Sequence, residues 1–153
     1  MENRYLFKAK RKNWQELPKD EQWVQGYLFD DGFENGRVFV GSFVIEKYNG
    51  TARDDWAVTG INFYEIDPNT ICQCTGLKDK NDKIIWENNI MVAHLDKSYP
   101  DDKTYQKVIW NENGFHSKVK GSEDIEPIDR FDQEWFEVIG NIFDNPELLE
   151  SEE

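Results

Sequence analysis

Between Ile71 and Leu95 the chain carries three short apolar runs, Ile71 to Leu77, Ile84 to Trp86 and Ile90 to Leu95, parted by polar residues that favour turns. Runs of this length with turn residues between them read as strands, and the economical arrangement is a hairpin followed by a third strand. Lys78 to Lys83 is the polar loop of that hairpin, and its Asn81 and Asp82 tolerate positive φ. At Trp86-Glu87-Asn88-Asn89-Ile90 the chain reverses again within a few residues, and consecutive asparagines are the best non-glycine choice for left-handed backbone. The hydroxyls, carboxylates and amides of this stretch sit where turns need them. It organises a fold and shows no chemistry of its own.

The rest of the chain reads in the same way. Strands are expected over Tyr5 to Lys10, Gln22 to Phe29, Arg37 to Glu46 and Ala57 to Ile66 before this stretch, and over Thr104 to Trp110, Phe115 to Val119 and Trp135 to Phe143 after it. Turns are expected at Leu17-Pro18, Asp30 to Gly36, Asn49-Gly50, Asp67-Pro68-Asn69 and Ser98 to Lys103. Asn111-Glu112-Asn113-Gly114 carries the strongest hairpin signal, because Asn-Gly suits positive φ at successive positions. Gly140 is expected to bend or bulge the closing strand. Gly121 to Asp132 reads as an acidic linker. Asn145-Pro146-Glu147 offers an N-cap, a first-position proline and an acidic first turn, so a single helical turn is expected before Glu150 to Glu153 fray.

The expected class is therefore mainly β with minor α. A chain of 153 residues allows one domain or two small halves sharing a core. The reading is a β subdomain over 1–68, a second over 69–145 with the short strands of an SH3-like barrel, and an acidic tail over 146–153. Six tryptophans and ten phenylalanines favour placing some aromatic surface at an interface. No apolar run reaches the roughly 18 residues of a membrane span, and no apolar region of a secretory signal follows the first basic residues. The net charge of −13 is uneven: Gly121 to Glu153 holds twelve carboxylates against one cation, Arg130, which leaves −2 for residues 1–120. Met1 to Asp20 is basic by contrast.

Candidate chemistry is sparse. Cys72, Cys74, His94 and His116 are four potential zinc ligands, but Cys-x-Cys followed by two isolated histidines is not the spacing of a structural zinc site. The cysteines read as reduced core thiols. The acidic turn Asp30, Asp31 and Glu34 lacks the ligand alternation of a calcium loop. Lys8-Ala9-Lys10-Arg11-Lys12-Asn13-Trp14 combines cations with a stacking ring, which suits single-stranded nucleic acid, and reads more simply as a solvated strand end. Phosphate loops and nucleophile elbows are lacking. No catalytic, cofactor-binding or metal-binding residue is expected. Trp86, Trp110 and Trp135 are the binding candidates, with core packing as the plainer account of all three.

Gln73-Cys74-Thr75-Gly76-Leu77-Lys78-Asp79-Lys80-Asn81-Asp82-Lys83, followed by Trp86-Glu87-Asn88-Asn89-Ile90-Met91, resembles the signature of the YopX family of phage and prophage proteins. Asp82 and Asn88 stand where that family usually has glycine, and Asn89 where it has aspartate; all three accept turn geometry. Phe7 to Arg11 with Trp23 to Leu28 resembles the family's opening, and Val138 to Leu149 its close. The resemblance implies a mostly β protein of phage origin in the cytoplasm of a bacterial host, with no established activity and no catalytic residues to carry over. The expectation is a non-enzymatic binding or assembly module whose partner is a host protein or a second copy in a homo-oligomer, without cofactor or membrane. One alternative is an acidic, DNA-mimicking antagonist of a host nucleic-acid-binding protein. Another is nucleic-acid binding through the N-terminal basic cluster.

Overall fold

The computed structural model describes residues 4–32, 36–48, 55–94 and 101–150. Asn49-Gly50, Ser98-Tyr99-Pro100, Glu34, Leu95 and the last three residues, all part of the expectations above, lie outside them. The described chain is mainly β. Its helical segments are short 3₁₀ turns rather than α-helix, at Trp14–Glu16, Lys19–Glu21, Pro68–Thr70, Arg130–Glu134 and Pro146–Leu149. The expected minor α content is thus 3₁₀. Two compact units form, Tyr5–Ile71, and Cys72–Glu153 together with Met1–Arg4.

In the first unit, β1 (Phe7–Lys10), β2 (Trp23–Asp30), β3 (Val38–Tyr48) and β4 (Asp55–Glu65) lie in the antiparallel order β4-β3-β2-β1. Its core is small: Ala9, Val24, Val40 and Ile66, with Val38 and Ile71 packed against them. Strand alternation puts Ala9, Val24 and Val40 on one face of the sheet, since Ala9 pairs with Val24 and Leu28 with Val40. A single bridge, Arg11 to Ile66, draws the ends of β1 and β4 together beside that core. β2 pairs with β3 only as far as Gly41, whereas β3 and β4 stay paired out to Tyr48 and Asp55. Beyond Gly41 the sheet is a two-stranded ribbon.

The second unit pairs β5 (Cys72–Lys78) with β6 (Ile84–Trp86). It also builds a five-stranded antiparallel sheet from β7 (Asn89–His94), β8 (Lys103–Asn111), β9 (Gly114–Val119), β10 (Ile125–Pro127) and β11 (Phe136–Asn141), in the order β10-β9-β8-β7-β11. Ile85, Met91, Ala93, Val108, Phe136 and Val138 form its core, with Leu77, Phe115 and Ile128 against it. β7 is central, between β8 and β11, and its run Ile90 to Ala93 is buried on both faces, so it reads as continuous apolar sequence rather than alternation. The five-stranded order ends at β10 and β11, and among the described residues no ladder joins those two edges, so the sheet is open where a closed SH3-like barrel is expected.

Turn chemistry holds the second unit in register. Asp79 is 4% exposed and accepts three backbone N–H groups: Asn81 at 2.8 Å and Lys83 at 2.9 Å on Oδ1, and Val138 at 2.8 Å on Oδ2. One carboxylate therefore closes the β5–β6 loop and ties it to β11. Asp82 and Asn88 take φ of +64° and +65°. Asn89 does not share that backbone: it is buried at the start of β7, its Oδ1 accepting from Trp86 N–H at 2.7 Å and its Nδ2 donating to Gly140 O at 3.3 Å. At the β8–β9 hairpin Asn111 pairs with Gly114, and the positive φ falls on Glu112, one position earlier than the Asn-Gly signal implies. The bulge expected at Gly140 is present as a register shift between Val138 and Gly140.

Candidate binding surface

Trp86 is 7% exposed in β6 and so is a packing residue. Trp110 is half exposed on β8, with the edge of its ring system against Phe115 at 4.9 Å between centroids. Trp135 is exposed just before β11. Of the three candidates, Trp110 and Trp135 reach solvent and Trp86 does not.

The basic cluster is occupied within its own unit. Lys10 is 1% exposed; its Nζ lies 3.9 Å from the Trp14 ring centroid and donates to Gln22 Oε1 at 3.1 Å. Lys8 Nζ lies 4.9 Å from Trp23, and the Arg11 guanidinium 4.4 Å from Tyr64. Lys12 pairs with Glu65 at 2.6 Å. Trp14 Nε1 donates to Asp67 Oδ2 at 3.3 Å. Cation–π contacts and an ion pair thus engage the cations and ring that a nucleic-acid site needs open. A cleft of about 250 Å³ beside them is lined by Lys12, Arg37, Val38, Glu65 and Asp67. Its cations are likewise engaged, Lys12 on Glu65 and Arg37 on Asp31 at 2.9 Å.

The acidic turns work locally. Asp30 Oδ1 accepts from Gly32 N–H, and Asp31 holds Arg37. In the C-terminal stretch Glu123 pairs with Lys118, Glu137 with Lys80, and Asp124, Asp129 and Asp144 hold turns. The hydrogen bond from Lys80 keeps the Glu137 carboxyl below its ordinary range. Cys72 and Cys74 are buried and free, and desolvation pushes the Cys74 thiol up. His116 Nδ1 lies 3.0 Å from Gly114 O, and among the described residues no group of three or more His, Cys, Asp or Glu side chains is placed to hold a metal ion. Among the same residues no helix is long and apolar enough to cross a membrane.

The distinctive surface lies elsewhere, on the face of β2–β4 opposite the core. Phe43 pairs with Ile61 and Ile45 with Val58. Thr59 is the extra residue of a bulge opposite Val44 and Ile45, and its Oγ1 donates to Val44 O at 3.2 Å. The bulge keeps Ile61 and Val58 on one face although they are an odd number of residues apart. Tyr27, Gly41 and Phe63 lie on that same face, as do Phe29 and Phe39. The Phe63 ring lies 5.1 Å from that of Phe29, tilted, and 6.4 Å from that of Phe39, edge to face. A Cβ on Gly41 would come within 3.0 Å of the Phe63 ring, so the missing side chain gives that ring its place. Phe43 is 55% exposed and Trp56 65%, and Ile45, Val58 and Ile61 are comparably open. Lys47 and Glu65 are the charged residues of the β3–β4 ladder on this face, at opposite ends. The ribbon's other face carries Ser42, Glu46, Asn62, Gly60 and Ala57, with Val44 its exposed apolar side chain. Sequence reading placed these strands and missed the surface, because alternation says which residues share a face and not whether anything covers it.

The family model described as YopX protein matches residues 36–150. The crystal structure of protein EF1440 from Enterococcus faecalis is similar over 95% of this chain and 97% of its own, with a TM-score of 0.55 at 20% identity, which shows a shared fold. No curated protein matches the chain.

Proposed function

The chain belongs to the YopX protein family, and from that premise we propose that it is a non-enzymatic binding or assembly module acting in the cytoplasm of a phage-infected bacterium. The observation that carries this reading is the open apolar face of β2–β4. In a chain that is 32% charged, a sheet face rich in exposed Phe, Ile and Trp and nearly free of charge has the composition of an interface core. Trp110 and Trp135 are also exposed, at opposite ends of the β8–β7–β11 register.

The alternatives draw less support. Lys8, Lys10, Arg11 and Lys12 are engaged with aromatic rings and Glu65, which disfavours a phosphate-binding role. Several carboxylates of the acidic stretch are spent on turns and ion pairs, whereas a DNA mimic needs an ordered array facing a partner. The SH3-like character of the second unit stays part of the proposal on its strand sequence.

The test is a Phe43→Ser/Ile61→Ser double variant, verified as folded by circular dichroism, compared with wild type for association with host proteins and with itself. Loss of every association through these two substitutions is the expected result. Association that survives them and is abolished by Trp110→Ala would overturn the assignment of the surface.

A further inference from the structure

We propose that the partner covering the outer face of β2–β4 is a second copy of this chain, docked face to face about a twofold axis. The inference rests on that face being the binding surface and goes further by naming what fills it.

Area is the first argument. Eight large side chains on this face are each roughly one-third to two-thirds open, and a fully open aromatic or large aliphatic side chain presents on the order of 150 to 250 Å². Together they offer about 800 Å², which is what one partner contributes to a stable protein interface of standard size. The face is large enough to support a dimer without help from other surfaces.

Self-complementarity is the second. The face holds aromatic and branched aliphatic residues in an alternating array, with Lys47 at one end and Glu65 at the other, so a copy turned through 180° meets apolar surface with apolar surface and buries no array of like charges. Two such sheets pack about 10 Å apart, as in a β-sandwich. The ribbon's opposite face carries Val44 as its exposed apolar side chain beside Ser42, Glu46, Ala57, Gly60 and Asn62, so the apolar area of each copy is concentrated on one face and the pairing closes at two.

The ribbon also needs a cover for its own stability. Past Gly41 it is, among the described residues, a two-stranded ribbon with no third strand and no core residue, and ribbons of that kind are marginal in water. A chain that always carries such an element needs a cover available wherever it folds. Another copy meets that need at the site of synthesis.

The test is sedimentation velocity on the full-length purified protein over a range of concentrations, with Phe43→Glu and the milder Ile61→Ser beside it. Wild type is expected to sediment as a dimer, and both variants as monomers with unchanged far-UV circular dichroism. Because each copy carries −13, raising the salt from about 0.05 to 0.5 M should tighten the wild-type dimer, the reverse of pairing by opposite charges. A monomeric wild type overturns the proposal. If that monomer captures another protein and loses it with Phe43→Glu, the binding-surface reading stands and only the second copy falls. A dimer that persists in both variants, as pairing through the β4 edge would, also overturns it.

Discussion

Asp79 joins the β5–β6 loop to β11 through one buried side chain. Its carboxylate satisfies three backbone N–H groups, that of Val138 buried, and its own N–H donates to Lys83 O at 2.8 Å. Hydrogen bonds to a charged acceptor are worth roughly 1.5–3 kcal/mol each and are not additive, so Asp79→Ala is expected to cost on the order of 3 kcal/mol by urea unfolding, with Asp79→Asn falling between it and wild type. At φ of +64° and +65°, Asp82 and Asn88 bear a side chain where glycine would be unstrained. Asp82→Gly and Asn88→Gly should each raise stability by roughly 0.5–1 kcal/mol in the same assay. These two positions were legible because positive φ leaves a mark in residue choice. Asn89 was not: its neighbour suggested a second left-handed residue, whereas its amide bridges Trp86 N–H and Gly140 O, a role fixed by a strand 51 residues away. An ionised aspartate makes the first of those bonds and not the second. Glu137 supplies a pH signature. Its carboxyl is held low by Lys80, so the stability it contributes is full above the ordinary carboxylate range and is lost as the pH falls through its depressed value. The pair is partly exposed, so the contribution is small and screened by salt, and Glu137→Gln should flatten the acid limb of a melting-temperature profile most visibly at low ionic strength.

Among the elements, the bulge in β11 ends at a glycine with no room for a side chain. A Cβ on Gly140 would stand 2.4 Å from Asn145 Oδ1 and 2.8 Å from its Cγ. Asn145 therefore does not cap the Pro146–Leu149 turn with its side chain as expected; its Oδ1 faces Asn141 N–H at 3.4 Å instead. Gly140→Ala should cost about 1–3 kcal/mol, and pairing it with Asn145→Gly should recover part of that loss in a double-mutant cycle. β10 escaped sequence reading because Ile125-Glu126-Pro127 has a proline and sits in an acidic stretch. As the edge of its sheet beside β9 it tolerates both, and the proline helps keep that edge from recruiting another strand. β3 and β4 were legible as strands from their β-branched and aromatic content. Their extension past β2 was not, since pairing length depends on where a neighbouring strand stops.

For the whole molecule, the charge distribution and the apolar face point to different ends. Most of the −13 lies in residues 121–153, at −11, while the outer face of β3 and β4 is nearly free of charge. Net charge of that size favours solubility, and under the proposed function the bare face is where association occurs. The mainly β class and the family were readable because short strands and turn residues carry both signals locally. The exposed aromatic array on β2–β4 was not, because Trp86, Trp110 and Trp135 were chosen for residue type, which does not say that Trp86 is buried and Trp110 and Trp135 exposed. The most direct check is amide hydrogen exchange measured across a concentration series. Exchange in 42–47 and 56–62 should slow as concentration rises, while the rates in β7 and β8 stay constant. Equal protection of the ribbon at every concentration, or slowing confined to the second unit, would contradict the assignment of this face as the interface.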